Sequence, residues 1–99
     1  MKRRTFKVAS NTNVDVLAKA IHTNLFHEDD LQQYDVVRLV FMGRDAAYVA
    51  LRAVADVAFQ SGRDGFVISS DIKYGTTTAK DSDGELSLMT CIEIEVYVS

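Results

Sequence analysis

Proline and tryptophan are absent from these 99 residues, and there is a single cysteine. Without proline the chain cannot carry a Cys-x-x-Pro motif. Cys91 alone cannot close an internal disulfide, which suits a reducing compartment. No apolar run approaches the ~20 residues of a membrane span, and no signal-peptide pattern is present, so a cytosolic protein with no membrane partner is expected. Positive charge is also scarce. Eleven Lys and Arg stand against fourteen Asp and Glu, a formal net charge of −3, whereas a dedicated nucleic-acid binder shows a basic face. Any contact with nucleic acid must therefore be local.

What charge there is lies unevenly. Lys2, Arg3, Arg4 and Lys7 fall in the first seven residues, with no acid among them. Such a basic arm can contact a nucleic-acid backbone, although a solubilising terminus has the same composition. Apolar residues make up 47% of the chain, enough for one compact domain.

Residues 36–59 are the most informative stretch. Val36 to Met42 is short and β-branched, and reads as a strand buried on both faces. After Gly43, the polar residues Asp45, Tyr48, Arg52 and Asp56 recur at three- and four-residue steps. They form one stripe of a helix over Asp45–Phe59 whose other sides are Ala, Val and Leu. A helix apolar on more than one side needs a second cover, within the chain or from another copy.

The other elements follow from periodicity. Thr5–Ala9 alternates as a first strand. Ser10 to Asn13 offers helix caps before Val14, Leu17, Ala18, Ile21 and Leu25, which mark an amphipathic helix. A polar loop, Glu28-Asp29-Asp30 with Gln32 and Gln33, precedes the central strand. Gly62 and Gly65 read as a helix stop and turn. Phe66, Ile68, Ile72 and Tyr74 alternate as a strand, and Gly75–Glu85 is expected as a mobile hairpin arm. The last strand sets Leu88, Thr90, Ile92, Ile94, Val96 and Val98 against Glu93, Glu95 and Tyr97. The order β-α-β-α-β-β is most simply met by a sheet with both helices on one face.

Gly43-Arg44-Asp45-Ala46-Ala47-Tyr48-Val49-Ala50-Leu51-Arg52-Ala53-Val54-Ala55 resembles the stretch that marks the stage V sporulation protein S family. In that family a glycine after the second strand leads into a helix of the form Ala-x-x-x-Ala-Val-Lys-Ala-Ile-Ala. Arg52 stands here for the lysine. Val8-Ala9-Ser10, Val16-Leu17-Ala18 and Ala20-Ile21 fall at the family's spacing, and the likeness weakens in the hairpin. The resemblance implies a single α+β domain over 1–99. Its fold is an Alba-like β-α-β-α-β-β two-layer sandwich, a four-stranded mixed sheet with two helices on one face. It also implies a small, non-enzymatic nucleic-acid-binding or regulatory protein, linked to sporulation or development and acting as a homodimer or higher homo-oligomer on DNA or RNA. Asn11 and Asn13 stand where the family's first loop often carries basic residues, and Asp81, Asp83 and Glu85 accompany Lys80 in the hairpin.

The candidate nucleic-acid residues are Arg44, Arg52, Lys2, Arg3, Arg4 and Lys80, contacting phosphates weakly and without sequence preference. Gly43-Arg44 at a helix start can hold a phosphate. The plainer alternative is a tight turn with Asp45 as a cap and Arg52 paired to Asp56 or Tyr48. His22 and His27, five apart, point to different sides of a helix and do not form a zinc pair. Asp81 to Glu85 resembles the start of a calcium loop but lacks the distal glutamate, so an Asp-Gly turn is expected. Cys91 has no base near it in sequence, Ser69-Ser70-Asp71 is no nucleophile elbow, and Glu93 and Glu95 read as a solvated face. No catalytic residue, metal or cofactor is expected. The competing reading is a protein-interaction or oligomerisation module that lacks nucleic-acid binding. A sulfur-carrier domain of similar topology is a weaker third, against which the missing Cys-x-x-Pro stands.

Overall fold

The computed structural model describes residues 1–26 and 33–99. It contains β1 (Arg3–Val8), α1 (Val14–Phe26), β2 (Val36–Phe41), α2 (Arg44–Arg63), β3 (Ile68–Lys80) and β4 (Leu86–Val98). The element order is the expected one. His27 and the acidic part of the expected loop, Glu28 to Gln32, lie outside the described residues.

Local chemistry sets the helix ends. Asn13 Oδ1 accepts the Val16 N–H at 3.0 Å, capping α1, and Leu17, Ala18, Ile21 and Leu25 form its buried stripe. The tight-turn alternative makes Asp45 the cap of α2. Instead Gly43 holds the cap position without a side-chain bond, and Asp45 sits in the first turn, where its charge suits the helix dipole. At the other end Gly62 does not stop the helix. The Phe66 N–H bonds to the Ser61 carbonyl at 2.9 Å and the Gly65 N–H to that of Gly62 at 3.1 Å. This capping pair needs a left-handed residue, and Gly65, at φ 87°, provides it.

The sheet order is β1-β2-β4-β3. β1 and β2 are parallel, and the other two pairings are antiparallel. β4 thus inserts between β2 and β3, although β3 runs in the same direction as β1 and β2. Register sets Val37, Leu39 and Phe41 beside Val96, Ile94 and Ile92. All but Ile92 join Val8, the α1 stripe and Ala46, Val49, Ala50, Ala53 and Val57 of α2 in one core. Ala50 and Ala53 are fully buried, and their small side chains let α2 lie close to its neighbours.

Two expectations are corrected here. β2 is not covered by a layer on both faces: on its outer face Arg38 and Val40 stay partly exposed, screened by charged neighbours rather than helices. Arg3 and Arg4 are residues of β1, not an arm preceding it. The hairpin arm expected after Gly75 is present: β3 runs as far as Lys80, paired with β4 from Gly75↔Cys91 to Lys80↔Leu86. Because β2 reaches β4 only up to Ile92, this outer part is a two-stranded ribbon projecting beyond the sheet, and the chain measures 48 × 25 × 21 Å. Its turn is held by Asp81 Oδ1, which accepts the Asp83 N–H at 2.9 Å and the Glu85 N–H at 3.0 Å. That is the Asp-Gly turn expected from the sequence.

Candidate nucleic-acid interface

Strand direction decides which candidate residues meet. β1 and β2 end at Val8 and Phe41, and β3 runs parallel to them, so the ribbon leaves from the same end of the sheet. The β1–α1 turn and the Gly43–Arg44 junction lie there too, and both helix N-termini open at that end. Arg44 therefore shares an end of the molecule with Lys80, and with Lys7, which was not among the candidate residues. A crease of about 180 Å³ between Lys7, Val8, Val40, Phe41 and Met42 and the ribbon residues Thr77 to Ala79 joins the two parts. It is smaller than the ~300 Å³ of a small-molecule pocket. The signal for Lys7 was present: alternation from Thr5 places it at the last outward position of β1.

Arg44 projects with its side chain 95% exposed, held only loosely to Asp45 at 3.6 Å. An exposed pair at that distance leaves the guanidinium available to an anion. Arg52 lies two turns further along α2, over the Tyr48 ring at 5.8 Å. A hydrogen bond with Tyr48, followed by the charges of Tyr48, Asp56 and Asp15, raises its already high pKa. The pairing with Tyr48 expected from the i, i+4 spacing is thus present.

Lys2, Arg3 and Arg4 lie at the other end of the sheet. The Lys2 ammonium sits 5.1 Å from the Tyr34 ring centre and the Arg4 guanidinium 5.3 Å from that of Phe6. Arg3 is drawn onto the outer face, where Glu95 gathers three cations: Arg3 Nη2 at 3.4 Å, Arg38 Nη2 at 3.6 Å, and Lys73 Nζ in direct contact. Glu93 approaches Arg38 Nε at 3.8 Å. The hydrogen bond from Lys73 lowers the Glu95 pKa. Burial opposes this, and the charges of Lys73, Arg3 and Arg38 reinforce it. Glu93 and Glu95 are therefore not simply a solvated face. Alternation places Arg3, Arg38 and Lys73 on the same outward side, but only the strand order reveals that they converge.

His22 stacks on Phe26 at 4.8 Å between ring centres. Among the described residues no group of three or more His, Cys, Asp or Glu is placed to hold a metal ion. Cys91 shares the outer face of β4 with Glu93 and Glu95, yet is 2% exposed. Among the described residues no helix is long and apolar enough to cross a membrane.

Much apolar surface is left uncovered. Ile72, Tyr74 and Leu88, on the helix-bearing face of β3 and β4, are 64%, 81% and 76% exposed. Leu51 is exposed on the flank of α2 opposite Asp56, and Asp56 borders the groove to α1. The second cover that the α2 pattern calls for is not found within the described chain.

No family profile matches the sequence, and no curated protein matches it. The structure, however, is similar to that of Alba from Thermoplasma volcanium, with a TM-score of 0.62 over 97% of this chain and 99% of that one. Sequence identity is 13%. A likeness that spans both chains from end to end, in a chain with this strand order and helix placement, makes the fold Alba-like.

Proposed function

We propose that the chain is a small, self-associating nucleic-acid-binding protein that grips a phosphate backbone at the ribbon end. The observation that carries this reading is the convergence of both helix N-termini, Lys7, Arg44 and a projecting ribbon at one end of the sheet. Five residues of free ribbon, Thr76 to Lys80, reach about 17 Å, enough to follow a groove. Helix N-termini attract phosphate, and Arg44 and Lys80 add counterion-releasing contacts, extended by Arg52 along α2. Lys2, Arg3 and Arg4 join this surface only if a second copy brings its opposite end alongside. The uncovered apolar surface of α2, β3 and β4 supports such a homo-oligomer. A closer tie to the stage V sporulation protein S family and a developmental role rest on the resemblance carried by Gly43 to Ala55 and the shorter matches around Val8, Val16 and Ala20, and a cytosolic setting rests on the lone cysteine and the lack of a membrane-span pattern.

One observation favours the interaction-module alternative. The ribbon tip carries Asp81, Asp83 and Glu85 around Lys80, a local excess of negative charge that repels phosphate. Fluorescence anisotropy with a labelled duplex and a labelled RNA at two salt concentrations separates the readings. Binding that weakens steeply with salt, and weakens alike for all sequences in Arg44→Ala/Arg52→Ala, supports nucleic-acid binding. No binding even at low salt overturns it in favour of a protein partner.

A further inference from the structure

The sheet has two edges, and they are protected unequally. β1 carries Arg3, Arg4 and Lys7 within six residues, charges that discourage another strand from pairing there. β3, the other edge, pairs with β4 in unbroken register over thirteen residues and contains no proline. Its second row of backbone donors and acceptors faces away from the sheet and finds no strand among the described residues. On its helix-bearing side Ile72 and Tyr74 are largely exposed. A long edge with apolar side chains and few charges is a template for strand addition.

We propose that β3 pairs antiparallel with β3 of a second copy of this chain, centred on Ile72, to form one continuous eight-stranded sheet. This rests on the self-association reading above and specifies its geometry. The register follows from charge. With Ile72 opposite Ile72, each Asp71 faces the Lys73 of the other copy on the outer face, so two opposite-charge pairs form across the symmetry axis. Each Ser70 faces a Tyr74 on the helix-bearing side. Centring on Asp71 or on Lys73 instead sets like charges against each other. Centring between Ile72 and Lys73 turns the two helix layers to opposite faces and separates their apolar surfaces. Centring on Ser70 leaves Asp71 and Lys73 without charge partners. Lys73 already contacts Glu95 in its own chain, so the incoming Asp71 extends an existing network of alternating charge.

The arrangement places the two Ile72 Cβ atoms about 5 Å apart, and the two Thr76 residues roughly 27 Å apart. Ile72→Cys should therefore yield a covalent dimer with a short thiol-to-thiol crosslinker. Thr76→Cys and the unsubstituted chain, whose only thiol is buried Cys91, should not. Lys73→Asp should weaken the dimer about tenfold in sedimentation, and Asp71→Lys/Lys73→Asp should recover most of that loss. Circular dichroism checks that each variant is folded. A chain that dimerises without Ile72→Cys crosslinking overturns the edge pairing and leaves self-association standing. A dimer unaffected by a folded Lys73→Asp variant also overturns it. A chain that stays monomeric at high concentration overturns both readings.

Discussion

The Glu93 side chain lies over Gly75, filling the space that a Cβ on Gly75 would need. The two residues lie two pairs apart on neighbouring strands and on the same face, since Gly75 pairs with Cys91 and Glu93 with Lys73. Glu93 can lean toward β3 because its neighbour there has no side chain, while its other carboxylate oxygen stays 3.8 Å from Arg38 Nε of β2, on the opposite side of β4.

Gly75→Ala should therefore destabilise the fold by about 1–2 kcal/mol, as overpacked sites do. The cost should shrink in a Glu93→Ala background, giving a coupling of about 1 kcal/mol in a double-mutant cycle read by urea denaturation. Strictly additive effects would show that the contact has no energetic weight.

Acid should weaken the protein partly through Glu95. Its folded pKa lies below the ordinary carboxylate value, so its contribution is complete above about pH 4.5 and is lost as pH falls through the folded value. Glu95→Gln should cost about 1–2 kcal/mol at pH 7, since it leaves Arg3, Arg38 and Lys73 facing one another. It should also flatten the fall in stability below pH 4.5 relative to the parent chain. Parallel acid limbs in thermal melts would refute this role.

Asn13→Ala should lower stability by about 1 kcal/mol by removing the cap on α1, whereas Asn13→Asp should be close to neutral. Both are read from melting temperature. An equal loss in the two variants would mean that the capping bond is not what Asn13 contributes.

On the ribbon, Asp83→Lys/Glu85→Lys leaves the turn-forming Asp81 in place and reverses the sign of the tip. If nucleic acid follows the ribbon, low-salt affinity should rise at least tenfold and the salt dependence should steepen. Unchanged affinity would mean that the tip points away from the bound strand.

The sequence was legible where one face of one element decides the matter. Val14 to Leu25 repeats cleanly, Asn13 is a good cap, and the alternation from Leu88 to Val98 separates the core face from the outer face. It was less legible where a backbone angle or a distant strand decides. Gly62 and Gly65 are equally plausible stops by composition, and only the capping bonds donated by the Phe66 and Gly65 N–H groups distinguish them. Glu93 and Glu95 read as solvated because their cationic partners come from three other strands, and nothing local states that β4 lies in the middle of the sheet. The same gap hid the separation of Lys2, Arg3 and Arg4 from Arg44, which depends on strand direction rather than on residue type.

The ribbon beyond Ile92 gives the molecule two zones of different permanence. Among the described residues its backbone bonds are made only between its own two strands, so it can unzip from the Asp81 turn inward while the backbone pairing of β1 and β2 stays intact. Amide protons from Thr76 to Lys80 should then exchange with solvent far sooner than those of Val37 and Leu39, which belong to the globally protected core. Length, charge and composition of the arm are therefore free to drift or be redesigned at little cost to folding, and what the molecule touches can change while the scaffold stays the same.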